Sequence, residues 1–541
     1  MMYPVPYHDK HVLVVDDMTE MRNSLRSQIA SLAIQKVSVA GSVRDALEYI
    51  KKQKFDIILC DYNLGDVTDG QQFLEYLRTA RIISRATLFI MITAETRYEK
   101  VITAAECLPD DYLLKPFTAE TLKSRFERLL EKKIRLAAID KLQDQGRWPE
   151  IISACEEIID SSDKYLIDAM RIKGNALIMT GHFKTARDFY RQALAMRPLP
   201  WAKLGLARAQ RSLGNGDEAK ELLAEIVAEN PNFLSAYDML GHIHMEEGNS
   251  QKALEVLDSA CIVSPKSLAR HRSIAGIAED AGDLQRVEKA LSVVVKQTRN
   301  SPLRSSSDYA KLGNALAELG EAKKAVDLLT EARNSFREAA DTRLLAAVEA
   351  VAQHKAGNPE LARQALDRAL QGDTARLPEA MALAVAKACL VNARQDQATA
   401  ILRHVVQNNP EAVAVHARVA NILKQHGGEE ASRQFIEVSV KEVIDLNNEA
   451  VAKAKARDFT VASAMLLAAA ARLPNNLQIV ANASYCLLLD VFQNGVDESK
   501  LSQARQLLQS VRDQDANYAK LGDIDDVLAL IRGKYGAQAA A

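Results

Sequence analysis

A chain of 541 residues is longer than one hydrophobic core can serve, and its length suits several domains or a repeat array. Charged residues make up 26% of it yet the net charge is only −2, so nothing draws it toward nucleic acid or an anionic membrane surface. Aromatics are few at 5%, alanine is abundant, and no apolar stretch approaches the roughly 20 residues of a membrane span, a balance that favours closely packed helices.

The N-terminal MMYPVPYHDKHVLVVDD meets an acid pair where a signal peptide needs its cleavage site, so no export signal is read. The six cysteines (Cys60, Cys107, Cys155, Cys261, Cys389 and Cys486) are scattered, and none forms a C-x-x-C. They read as small buried residues in a reducing compartment, and the expected location is the cytoplasm.

Five apolar runs follow in the first 120 or so residues: HVLVV, KVSVA, FDIILC, TLFIMI and DYLL. Amphipathic segments separate them, among them MTEMRNSLRSQIASL, SVRDALEYIKKQ and DGQQFLEYLRTARI. This alternation predicts an α/β doubly wound five-stranded parallel sheet. In such sheets chemistry collects at the carboxyl ends of the strands. Those ends carry Asp16 and Asp17, then Asp61, then Thr93, then Lys115. Three packed carboxylates repel one another unless a cation joins them, and hard oxygen donors of this kind suit Mg²⁺. With that charge balanced, Asp61 can attack a phosphorus atom, Lys115 can neutralise the transferring oxygens and Thr93 can donate a hydrogen bond.

This constellation resembles the receiver domain of bacterial two-component response regulators over residues 9–130. The matching residues are Asp16-Asp17, Asp61, Thr93-Ala94 and Lys115-Pro116-Phe117, in the family's order and on the expected elements. The resemblance implies Asp61 as phosphoacceptor, with Asp17, Asp61 and the backbone carbonyl of Asn63 holding Mg²⁺ and Asp16 acting through water. It implies Tyr112 as the aromatic switch residue, and Asn63 and Glu95 as neighbours that tune the lifetime of the phosphoryl group. It also implies a sensor histidine kinase, or a histidine phosphotransfer protein, as the phosphoryl donor, and it leaves room for a homodimer formed through receivers. Leu64-Gly65 replace the family's usual Met-Pro, and Asp69-Gly70 fall one position late, so the loop after Asp61 is one residue longer.

Beyond the receiver the sequence repeats. Tyr237 to Pro265 (YDMLGHIHMEEGNSQKALEVLDSACIVSP) carries an aromatic, Leu-Gly, a turn glycine, two spaced alanines and a closing proline, at the offsets of the 34-residue tetratricopeptide repeat. The turn glycines Gly181, Gly214, Gly248 and Gly282 keep that period, as do Ala186, Ala219 and Ala253 and the prolines Pro198, Pro231 and Pro265. Clear repeats span 167–370 and degenerate ones 380–515, and a capping helix is expected at about 518–533, giving an all-α superhelical solenoid over 146–535. One helix pair cannot bury its own apolar face, so stacking must supply the core. Between the regions, residues 118–145 have one helical period and no breaker before Gly146. The last receiver helix, capped by Thr118, should therefore run on into the solenoid for about 27 residues or ~40 Å.

Arg171 and Asn175 stand four apart on the first helix of a repeat, in part of the pattern with which some tetratricopeptide proteins hold a peptide's terminal carboxylate. With His242 they are candidate residues of a groove that takes an unidentified protein or peptide. His242 and His244 are two apart and so do not share a helix face, which argues against a metal site there. The chain shows no nucleotide-binding, DNA-binding or nucleophile–base grouping. The expected role is a phosphorylation-dependent signalling adaptor, not an enzyme beyond its own phosphoryl chemistry. The alternatives are a phosphate sink, a kinase inhibitor in a phosphorelay, or a constitutive scaffold with an inactive receiver.

Overall fold

Strands form at the five apolar runs: β1 (Val12–Val15), β2 (Val37–Ala40), β3 (Ile57–Asp61), β4 (Leu88–Thr93) and β5 (Asp111–Leu114). The structure is a computed structural model that describes residues 7–65, 69–94, 109–161, 163–299, 301–515 and 518–536, the side chains of 425 and 426 excepted. All four strand pairings are parallel and the order is β2-β1-β3-β4-β5, as expected of a doubly wound sheet. The chain divides into two compact units, Met1–Asp308 and Tyr309–Ala541.

Alternation along the strands builds two cores. Val12, Val14, Ile57, Leu59, Ile90 and Ile92 pack with Leu25 and Ile29 of α1 (Thr19–Ser31) and with Leu122, Phe126, Leu129 and Leu130 of the long helix Ala119–Asp144. Leu13, Val15, Ile58, Cys60, Phe89 and Met91 face the other way. They meet Val43, Ala46 and Leu47 of α2 (Val43–Lys52) and Phe73, Leu74 and Leu77 of α3 (Gly70–Thr79). β3 and β4 are therefore buried on both faces, which is why their runs are apolar throughout. Residues 95–108, between β4 and β5, lie outside the described residues and include Glu95.

The helix Ala119–Asp144 starts where Thr118 Oγ1 accepts the Thr121 N–H (3.2 Å). Its lower half joins a third core: Leu136 and Ile139 pack with Ile151, Cys155 and Ile158 of the helix Trp148–Asp160 and with Ala169 and Ala176 of the helix Leu166–Met179. Gly146, at φ +69°, makes the turn between the first two of these helices.

The helices that follow are paired at the repeat spacing: Phe183–Met196, Pro200–Ser212, Gly216–Glu229, Leu234–Glu246, Ser250–Val263, Leu268–Asp280 and Leu284–Thr298. Gly181, Gly214, Gly248 and Gly282 all sit in the left-handed region, between φ +74° and +86°. Close approach explains a different glycine. A Cβ at Gly205 would lie 2.2 Å from the ring of Tyr190, which is buried against it.

The second unit is also all helical, and its irregularity has local causes. Ala393 (φ 59°) and Arg457 (φ 61°) occupy left-handed turn positions that glycine fills in the regular repeats. Glu429–Lys455 is one unbroken helix of 27 residues within the stretch of degenerate repeats. The sequence carried that signal, since no Gly or Pro stands between Gly428 and Pro474. The helix Leu521–Tyr535, over the stretch where a capping helix was expected, packs Ile524, Val527 and Ile531 onto the last core.

Two substitutions of opposite sign test these assignments by thermal melting. Gly205→Ala forces the Tyr190 ring to move and should cost about 1–3 kcal/mol. Ala393→Gly relieves a left-handed alanine and should stabilise the second unit by about 1 kcal/mol.

Candidate functional site

β1, β3, β4 and β5 all deliver polar residues to one rim. Asp16 follows β1 directly and is fully buried. Its Oδ1 accepts the Met18 N–H (2.8 Å), and its backbone carbonyl accepts from Arg22 Nη1 (2.7 Å). Asp17 beside it is exposed, and Asp61, the last residue of β3, is buried. Ligand atoms of these three carboxylates lie within 4.8 Å of one another.

Lys115 closes the cluster. Its Nζ lies 2.8 Å from Asp61 Oδ1 and 3.2 Å from Asp16 Oδ2, and its backbone N–H donates to the Thr93 carbonyl (2.8 Å). The Lys115–Pro116 peptide is cis. Thr93 ends β4 and is buried at the same rim.

Burial disfavours the charged form of Asp61 and raises its pKa. The Lys115 hydrogen bond and charge offset part of this, while Asp16 and Asp17 add to it. For Lys115, burial pulls the pKa down, but the Asp61 hydrogen bond and the charges of Asp61 and Asp16 overcome it and the net direction is up. The ammonium is thus firmly charged beside an acid cluster still short of positive charge. Hard oxygens this close fit Mg²⁺, which the carboxylates of Asp16, Asp17 and Asp61 would hold.

Asn63 is exposed just beyond β3, and Tyr112, on β5, is half-buried against the core that contains α2 and α3. Glu95 lies outside the described residues. Arg171 and Asn175 share one face of the helix Leu166–Met179, while His242 is exposed on the separate helix Leu234–Glu246. Two contributors, Arg22 and Gln72, were not singled out from the sequence. Arg22 holds the Asp16 carbonyl, and Asp69 and Gln72 form a capping box on α3. The D-x-x-Q spacing before an apolar run was the available signal for that box. Gly70 is required there, because a Cβ would stand 2.4 Å from the Asp61 carbonyl oxygen and 2.7 Å from Met91 Sδ.

Protons and a bound Mg²⁺ would compete for Asp61. In scanning fluorimetry at neutral pH, Mg²⁺ should raise the melting temperature, by up to about 2.7 kcal/mol of stabilisation at a hundred times its Kd. The increment should shrink as pH falls through the raised pKa of Asp61, and Asp17→Asn should reduce it at every pH.

Two parts of the chain resemble known proteins. Residues 12–127 match the family described as response regulator receiver domain, and residues 177–241 and 234–266 match tetratricopeptide repeats. The chemotaxis protein CheY-3 of Vibrio cholerae is 31% identical over 121 residues, 22% of this chain and 92% of that protein. The chemotaxis protein CheY of Pseudomonas aeruginosa is 29% identical over 121 residues, 22% of this chain and 96% of that protein. Among solved structures, the chemotaxis response regulator CheY4 of Vibrio cholerae is 30% identical, with 23% of this chain and 99% of that chain covered and a TM-score of 0.21. Among the described residues no helix is long and apolar enough to cross a membrane. The chain belongs to the response regulator receiver family, its receiver continuing into a tetratricopeptide-repeat region.

Proposed function

We propose that the protein is a phosphorylation-dependent adaptor of the cytoplasm. It takes a phosphoryl group on Asp61 from a sensor histidine kinase or a histidine phosphotransfer protein, and its repeats bind a protein partner according to that state. The observation that carries this reading is the Lys115 ammonium set 2.8 Å from Asp61 within a triad of carboxylates. An Asp61 carboxylate oxygen forms the new P–O bond as the P–N bond of the phosphohistidine breaks, its electron pair returning to the imidazole. Lys115, already charged and directed at Asp61, stabilises the negative charge on the transferring group, and the Thr93 hydroxyl adds a hydrogen bond. Mg²⁺, when bound, supplies the further positive charge that the acid cluster calls for.

Receivers serve phosphorylation-based signalling and tetratricopeptide repeats serve protein–protein interaction, and their union in one chain supports an output by contact. Arg171, Asn175 and His242 are offered as part of the contact surface, and Tyr112 as the residue that reports the state of Asp61. No catalysis beyond the receiver's own phosphorylation and dephosphorylation is assigned.

Incubation with a small acyl phosphate and Mg²⁺ should place one labile phosphoryl group on the wild-type protein and none on Asp61→Ala. Lys115→Ala should slow its formation about 100-fold. Absence of the adduct in wild type overturns the acceptor assignment. Affinity capture with wild type, with wild type carrying beryllofluoride on Asp61, and with Asp61→Ala should return partner sets that differ. Identical sets in all three states overturn the switched adaptor.

A further inference from the structure

Gln72 of α3 makes contacts on two sides. Toward its own helix start, its backbone N–H donates to Asp69 Oδ1 (2.9 Å) and its Oε1 accepts the Asp69 N–H (3.3 Å). Away from the receiver, its Nε2 donates to Gln297 Oε1 (2.8 Å) and to the Lys266 carbonyl (3.2 Å). One amide thus uses its acceptor on the cap and its donors on the repeats, while lying only 6% exposed. Lys266 stands in the turn between the helices Ser250–Val263 and Leu268–Asp280, and Gln297 near the end of the helix Leu284–Thr298. The Lys266 charge acts on buried Asp69 and eases its ionisation against the larger effect of burial.

The same cap is fixed to the acceptor strand. The Gly70 N–H donates to the Tyr62 carbonyl (2.7 Å), the Tyr62 side chain hydrogen-bonds Asp69, and Gly70 lies directly against the Asp61 carbonyl. Packing this close transmits displacement instead of absorbing it. Asp61 and Asp69 also lie near enough to the Cys60 thiol that, after burial, both raise its pKa.

We propose that Gln72, Gln297 and the Lys266 carbonyl form a latch by which the solenoid holds the start of α3 while Asp61 is unphosphorylated, and that phosphorylation of Asp61 and opening of the latch favour each other. The proposal rests on Asp61 being the acceptor. Its route runs through the start of α3 and is distinct from the Tyr112 position on β5. Coupling of this kind is reciprocal in free energy. A phosphoryl group loosens the contact with the repeats, and a broken contact makes the phosphorylated state easier to reach.

The test uses the full chain, a small acyl phosphate and Mg²⁺. Gln297→Ala removes an acceptor that lies 225 positions from Gln72 in sequence and takes no part in the acid cluster. It should increase the extent of Asp61 phosphorylation at limiting phosphodonor by roughly 5- to 10-fold. Gln297→Glu keeps an acceptor facing Gln72 Nε2 and should return the extent toward the wild-type value, which a general loss of folding would not do. Hydrogen exchange supplies a second measurement without substitution. In the wild type, beryllofluoride on Asp61 should speed exchange in the peptides that contain Lys266 and the first turn of α3. An adduct on wild type with no change in Gln297→Ala and no change in exchange overturns the latch alone. No adduct on wild type overturns the acceptor assignment as well.

Discussion

The helix Ala119–Asp144 belongs to two cores at once, and the first unit of the chain is organised around that fact. Leu122, Phe126, Leu129 and Leu130 are buried in the receiver, while Leu136 and Ile139 are buried among the first repeat helices. Each contributes about 1.5–3 kcal/mol on burial. Positions 122, 129 and 136 are seven apart, so both cores read a single stripe of the same helix. At the changeover the stripe carries Lys133, whose Nζ lies 3.0 Å from Asp110 and 3.8 Å from Asp140. Asp110 is in turn fixed by the Phe89 N–H (2.8 Å). Arg135–Asp163 (2.6 Å) and Lys132–Asp168 (2.6 Å) brace the lower half against the repeats. The helix cannot turn in one core without turning in the other.

At the opposite end of the sheet the ordering principle is charge. The strand ends bring carboxylates together, and Lys115 is the side chain that makes their closeness tolerable. A site short of positive charge in this way suits a dication, whose charge would in turn offset that of an arriving phosphoryl group. The strand that ends in Asp61 is also the strand whose following helix touches the repeats, so the acid cluster and the repeats meet along a short stretch of backbone.

The receiver was legible because its determinants are short and local. Apolar runs ending in Asp16-Asp17, Asp61, Thr93 and Lys115 fix both the strands and the rim, and parallel pairing needs no further information. The regular repeats were legible for a similar reason: a left-handed turn needs glycine at a fixed position, and Gly181 to Gly282 mark it. Where the period faded the cause was again local, with Ala393 and Arg457 taking up the strain that glycine avoids and Glu429–Lys455 omitting the turn altogether. The contact of Gln72 with Lys266 and Gln297 could not be read beforehand. It depends on how a stack of helix pairs curves in space, which no short motif encodes.

The doubly buried helix also sets how this protein can be divided. Families that recombine modules usually join them through solvated tethers, which can be cut or exchanged with both neighbours left whole. Here the seam falls inside a hydrogen-bonded cylinder. An excised head that stops after Leu130 would lose the Lys133 anchor on Asp110, and one that runs to Asp144 would display Leu136 and Ile139 to water. Head and first repeats are therefore mechanically one piece, and a change in either must keep the shared stripe in phase.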